Sequence, residues 1–254
     1  MKRIVTLGTS FCGSTLLDLL LERAAVEVTG VGEIHHAHDS SHSPWCYPCL
    51  RQKIHDCPLN KAIIAYRESD AGPMELYEFV GKALGIDTIH TSDKASCFVK
   101  KHSVYDEMDA IILYKHPLRA FASHRRHYPE GPLNFYASTW ETIYGHAIRS
   151  TCKRKLYLRY EDLCKHTEAA LQVICKTFDL TYDPTWVDTW QDIAGRHRIG
   201  GNSLAIQGTQ LEAKPIKVDN GWVDLLTQEE KKLAREHTGR FTHMTLERKA
   251  HDFG

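Results

Sequence analysis

An apolar strand, Ile4 to Gly8, runs into the loop Gly8-Thr9-Ser10-Phe11-Cys12-Gly13-Ser14-Thr15 and from there directly into a leucine-rich helix. No other stretch of the chain constrains the fold as much. Two glycines separated by four residues let the backbone close around an anion, and the helix start offers unpaired N–H groups at the positive end of its dipole. Leu16, Leu17, Leu19, Leu20 and Leu21 carry the helix to about Ala25, and Val26 to Val31 reads as a second strand. A strand, loop, helix and strand in this order predict a parallel sheet with a right-handed crossover. The alternative is a glycine-rich turn that holds no ligand; the hydroxyls of Ser10, Ser14 and Thr15 favour the anion.

The alternation continues downstream. Residues 34–60 carry five His, three Cys and three Pro with little periodicity, which predicts an irregular insertion. A helix over Met74–Leu84 capped by Gly85, a strand over Ile86–Thr91 and a mostly helical stretch over Ala95–Met108 follow. Ala110–Tyr114 (AIILY) is the most strand-like core run, and Pro117 opens a helix directly after it. Helices over Phe135–Cys152 and Glu161–Phe178 flank a strand over Lys155–Leu158, and Thr227-Gln-Glu-Glu230 is a capping box. With no repeat and no low-complexity linker, the pattern predicts one α/β domain over residues 1–254.

Composition narrows the function. The 32 Lys and Arg balance 32 Asp and Glu, which excludes a basic nucleic-acid coat and predicts no nucleic-acid partner. No stretch reaches the roughly 18 apolar residues of a membrane span. Gly8, Gly13 and Asp18 break the apolar N-terminus before it becomes a signal-peptide core. The 8 Cys are scattered, so reduced thiols in a cytoplasmic protein are expected. Inside this neutral chain, residues 110–128 hold four Lys and Arg and no acid. Lys115 stands at the carboxyl end of the AIILY strand, where α/β sheets bind ligands. Ser123 follows about two helical turns later, near enough to share a phosphate. Arg125 and Arg126 fit a solvated helix face better.

The first loop has Walker A spacing, G-x4-G-S-T, with Ser14 where the lysine belongs. ATPases and GTPases use that lysine to neutralise the β and γ phosphates, so its absence argues against both. Two phosphate sites without it resemble the sulfotransferases that use 3′-phosphoadenosine 5′-phosphosulfate (PAPS), and the resemblance spans nearly the whole chain. Gly8–Thr15 is similar to the family's 5′-phosphosulfate loop, and Lys115…Ser123 to its 3′-phosphate motif, usually Arg…Ser. Tyr160-Glu-Asp-Leu163 resembles its YEDL segment, whose tyrosine often lies near the adenine, and Thr91-Ser-Asp-Lys94 resembles the DSSK-like segment of bacterial members. Arg196-His-Arg-Ile-Gly-Gly-Asn202, followed by Asp219-Asn-Gly-Trp222, resembles the block that closes over the cofactor.

The resemblance implies a three-layer αβα fold with a central parallel sheet, P-loop NTPase-like, with PAPS as donor, adenosine 3′,5′-bisphosphate (PAP) as product and no required metal. It implies cofactor contacts at Ser10, Phe11, Cys12, Gly13, Ser14, Thr15, Lys115, Ser123, Tyr160, Arg198, Gly200, Gly201 and Asn202. Gly32-Glu33 resembles the family's Gly-Glu, whose carboxylate is the catalytic base. Glu33 would take the proton of an acceptor hydroxyl or amine, with His35, His36 and His38 as competitors for that role. One departure stands out. The family carries Lys or Arg at the Phe11 position, where it stabilises charge on the transferring group, and Cys12 replaces a serine. Lys94 or Arg119 is then the candidate to supply the cation.

Cys46-x2-Cys49-x7-Cys57, with His55 and His42 nearby, has the donors of a structural zinc site. It lacks a paired second C-x2-C, which argues against zinc, and the resemblance implies instead a lid on the substrate side, as in bacterial members with a cysteine-containing stretch after Gly-Glu. Trp140, Tyr144 and Ile148 share a helix face and are expected in the core, whereas Trp186, Trp190 and Trp222 either pack or line an acceptor pocket. The acceptor would be a small molecule, carbohydrate, lipid or peptide. A divergent P-loop kinase is one alternative, although an acid would be needed where Lys115 follows AIILY. A non-catalytic PAP- or metal-binding module is the other, motivated by Phe11 and the His/Cys stretch.

Overall fold

Alternate residues of the first strand face opposite ways, and both ways lead into packed apolar side chains. A computed structural model describes residues 1–38, 46–51, 53, 55–94, 105–192, 196–200, 216–218, 221–236 and 240–253. Five strands form one all-parallel sheet: β1 (Lys2–Gly8), β2 (Val28–Gly30), β3 (Thr88–Lys94), β4 (Asp109–Tyr114) and β5 (Arg154–Arg159). Their order is β2-β3-β1-β4-β5. All six residues of β4 are buried, as expected of a strand covered on both faces.

On one face, Val5, Leu7, Ala110, Ile112 and Tyr114 pack against α3 (Pro58–Arg67), α4 (Glu75–Leu84), α5 (Pro117–His127) and α6 (Leu133–Arg149). On the other, Ile4, Ile111, Leu113, Leu156 and Leu158 pack against α1 (Ser14–Ala24), α7 (Tyr160–Lys165), α8 (Thr167–Thr177) and α9 (Trp186–Thr189). The result is the expected three-layer αβα arrangement. Trp140 and Tyr144 are fully buried in the first cluster, and Trp186 and Trp190 pack in the second rather than around an opening. The side chain of Trp222 lies outside the described residues. Among the described residues, no helix is long and apolar enough to cross a membrane.

Two elements depart from the sequence expectation, and a third lies mostly outside the described residues. The described part of the 34–60 stretch has regular structure: it contains a 3-10 helix over Ile34–His38, the short helix α2 (Tyr47–Arg51) and the start of α3. Ile34, Ala37, Cys46, Cys49, Cys57 and Leu59 are all buried in the first cluster. Free cysteine packs as a small hydrophobe, so the run is richer in core residues than its His and Pro suggest. The helix expected over Glu161–Phe178 is two helices, α7 and α8, broken at His166 with φ −125° and ψ 45°. Of the helix expected over Ala95–Met108, residues 95–104 lie outside the described residues, and Tyr105–Met108 forms a turn. The capping box is present at the start of α10 (Gln228–Glu236). The Thr227 N–H donates to Glu230 Oε2 at 2.8 Å, and the Glu230 N–H donates to Thr227 Oγ1 at 3.2 Å. Helix α11 (Arg240–Lys249) packs Leu246 into the first cluster.

Candidate functional site

After β1 the chain crosses to β2 and β3 on one side of it, and later returns to place β4 on the other. The β1/β4 boundary is therefore the point where strand order reverses, and ligands of such sheets bind at the carboxyl ends there. The Gly8–Thr15 loop leaves β1 at this point, and Lys115 leaves β4 beside it. Gly13 has φ 98°, which turns the chain into α1, and a Cβ on it would collide with the edge of the Tyr160 ring, 2.2 Å from Cδ2. Two phenols of α6 hold the strand ends from the opposite face. Tyr136 OH donates to Ser10 O at 3.0 Å, and Tyr144 OH donates to Leu113 O at 2.9 Å. Burial pushes both phenols up, so they remain protonated donors at neutral pH. Tyr144 reads from the sequence as core only; its hydroxyl had no local signal because its partner is 31 residues away.

Lys115 and Ser123 are brought together. Lys115 Nζ donates to Ser123 Oγ at 3.0 Å, and the ammonium lies 4.4 Å from the centroid of the Tyr160 ring. Tyr160 thus adjoins both Gly13 and Lys115, which brings the two loops together. Helix α5 is fastened by Glu161, whose Oε1 accepts from the His116 N–H at 3.1 Å and pairs with Arg119 Nη1 at 3.1 Å. Arg119, one of the two candidate cations, is therefore engaged by a carboxylate. Lys94 ends β3 directly opposite Gly8, and its side chain lies outside the described residues. Phe11 stacks on His127, with ring centroids 4.4 Å apart, and meets His124 and Tyr128 edge-on at 6.0 Å. Cys12 is buried at 1% exposure, so its thiol packs in the core. Arg125, expected on a solvated helix face, is instead half-buried, pairing with Glu230 and donating to Gly131 O at 3.0 Å.

Glu33 lies just beyond β2 and is buried, with Oε2 3.1 Å from His36 Nε2. His35 is also buried, its ring 4.2 Å from that of His36. The wall behind Glu33 is an extended strap, residues 196–200. Ile199 N–H donates to Val31 O at 2.8 Å, and Glu33 N–H donates to Ile199 O at 2.6 Å. Gly200 lies so close that a Cβ there would sit 3.0 Å from Glu33 Cβ and Oε2. Side chains of the strap alternate. Arg196 reaches α1, 3.2 Å from Glu22 and within reach of Leu19 O. Arg198, expected among the cofactor contacts, instead turns a fully buried guanidinium onto Asp18 of α1. Asp18 also holds His90 Nδ1 at 2.5 Å, and His90 Nε2 is 2.8 Å from Thr6 Oγ1. Gly201 and Asn202 lie outside the described residues.

His197, between the two arginines, points the other way, to Cys46, Cys49 and Cys57. His55, the fourth donor suggested by spacing, is exposed and belongs to no such group among the described residues, and His42 lies outside them. Burial pushes the Cys49 thiol up to about 11 and the Cys46 thiol further.

Neither a scan against protein-family models nor a search of curated proteins finds a match. Solved structures do match. The sulfotransferase domain from the curacin biosynthetic pathway aligns with a TM-score of 0.61 at 17% identity, covering 92% of this chain and 96% of that one. The sulfotransferase domain from the Synechococcus PCC 7002 olefin synthase aligns with a TM-score of 0.58 at 15% identity, covering 100% of this chain and 95% of that one. The mouse sulfotransferase SULT7A1 complexed with PAP aligns with a TM-score of 0.55 at 12% identity, covering 97% of this chain and 87% of that one. With its five-stranded parallel sheet and loops at the β1/β4 boundary, the chain has the fold of the sulfotransferase domains.

Proposed function

We propose that the chain moves a sulfuryl group from PAPS to a hydroxyl or amine of a small-molecule, carbohydrate, lipid or peptide acceptor. The observation that carries this reading is the Lys115–Ser123 pair, 3.0 Å apart, sharing the Tyr160 ring with the Gly13 turn. Two anion sites at one strand-order reversal suit a donor with phosphates at both ends, and the relative bound to PAP supports the same ligand class. The N–H groups of Gly13, Ser14 and Thr15 would face the phosphosulfate, with the Ser10, Ser14 and Thr15 hydroxyls beside them. Lys115 and Ser123 would hold the 3′-phosphate. Glu33, with its oxygen on His36, would accept the acceptor's proton as its oxygen or nitrogen bonds to sulfur, and the bond from sulfur to the bridging oxygen would break to release PAP. Free cysteines at every described position suit a reducing, cytoplasmic setting.

Phe11 favours a second reading, PAP binding without transfer, because stacked aromatic rings occupy the place of the family's cation. Both readings predict that PAP raises the melting temperature; stabilisation by ATP with Mg²⁺ but none by PAP would reject both and favour a kinase. Sulfate transfer from radiolabelled PAPS across an acceptor panel separates the two. Glu33→Gln should lower the transfer rate by about 10²- to 10⁴-fold with PAP stabilisation intact. A full rate in that variant would remove Glu33 as the base.

A further inference from the structure

Cys46, Cys49, Cys57 and His197 take no part in the proposed transfer, yet they converge from two distant stretches of chain. His197 Nδ1 lies 3.3 Å from Cys49 Sγ, 3.5 Å from Cys57 Sγ and 3.8 Å from Cys46 Sγ. The four donor atoms all lie within 4.8 Å of one another. A tetrahedral zinc, with bonds of about 2.3 Å to sulfur and about 2.05 Å to nitrogen, requires S···N separations of about 3.5 Å and S···S separations of about 3.8 Å. The cluster has that size. The three cysteines are free thiols. An iron–sulfur cluster would spread its ligands around two or more metal atoms, wider than this group allows. Three soft sulfurs and one imidazole in a tetrahedral set select zinc over magnesium, calcium or manganese.

We propose that Cys46, Cys49, Cys57 and His197 form a structural zinc site that clasps the 196–200 strap to the 46–57 stretch. The surroundings suit thiolate ligands. The backbone N–H groups of Cys49 and Arg198 are directed at the Cys46 sulfur, and the Cys46 N–H donates to Asn60 Oδ1 at 2.8 Å. Such outer contacts orient ligands and spread their negative charge. All three cysteines are buried at 2% exposure or less, so the site is closed and leaves no position for substrate. Its effect falls on the neighbouring backbone. Ile199 bridges to both Cys46 and Gly32, and Gly200 packs on Glu33, so a metal at this point fixes the strap behind the proposed base.

The test is metal content, read without PAPS or any acceptor, so its outcome is independent of the transferase reading. The full chain, purified under reducing conditions and dialysed against a weak chelator, is measured for zinc by plasma mass spectrometry. One zinc per chain is expected in the native protein and in His55→Ala, and none in His197→Ala or Cys49→Ser. Cobalt exchanged into the native chain should show the intense ligand-field bands of a tetrahedral site and thiolate-to-metal charge transfer. Should His197→Ala fail to fold, His197→Cys decides the fourth ligand, because it keeps the metal and must shift those bands. A native chain that binds neither zinc nor cobalt overturns the proposal. So does a cobalt spectrum unchanged in His197→Cys, or zinc lost in His55→Ala and retained in His197→Ala.

Discussion

Gly13 is held at φ 98° with the Tyr160 ring where its side chain would begin. A substitution here meets two obstacles, a left-handed backbone and an aromatic ring that also supports Lys115. Gly13→Ala should therefore cost about 1–3 kcal/mol of stability and weaken PAP binding at the same time. Urea unfolding and a PAP titration on the same preparation check both halves; a variant with unchanged PAP affinity would separate the ring from the loop. The residue scale is also where sequence spacing misled. His55 lies two residues from Cys57 and is exposed, whereas His197, 140 residues from Cys57, faces all three sulfurs. Local spacing registers only donors that share a turn or a helix. A ligand delivered by a distant extended segment leaves no such trace. Arg198 failed for a related reason: its buried counter-ion, Asp18, reads in sequence as a polar position in a leucine-rich helix.

At the scale of elements, strands and caps were legible because their signals are local. AIILY lies within β4, and Thr227…Glu230 forms the reciprocal hydrogen bonds of its motif. That cap starts α10, whose Glu230 also pairs with Arg125 of α5. Thr227→Ala removes one of the two hydrogen bonds and should cost about 1 kcal/mol, read as a lower urea midpoint with an unchanged slope. The break between α7 and α8 was not legible, since no Gly or Pro marks His166. The buried character of the 34–60 stretch was hidden as well. Its core residues include three cysteines, which composition alone assigns to chemistry before packing. The propping of the first loop and of the end of β4 by α6 rests on two hydroxyls whose rings already explain their burial, so nothing in the helix period distinguishes them.

For the whole molecule, the strap ties residues 196–200 onto α1. Glu22 of α1 meets Arg196 there, and burial raises its carboxyl from 4.5 to about 7 despite the guanidinium 3.2 Å away. A carboxyl raised in the folded state binds its proton more tightly there than in the unfolded chain. Its stabilising contribution is complete below about pH 4.5 and is lost as pH rises through about 7. Glu22→Gln should therefore flatten that part of the stability curve, seen as a native-minus-variant unfolding free energy that falls as pH rises from 4.5 to 7. A constant difference over that window would show that Glu22 keeps an ordinary affinity for its proton.

The Asp18–Arg198 pair also has a consequence for the order in which the chain is made. Its partners are 180 residues apart, and Cys49 waits 148 residues for His197. At about 5–20 residues per second, a ribosome needs roughly 10 to 35 s to bridge the longer gap. During that interval α1 exists with an acid that has no guanidinium to meet, and the first cysteines have no imidazole beside them. The wall behind Glu33 is thus among the last parts to form, because its bonds to Ile199 cannot exist before translation has passed residue 200.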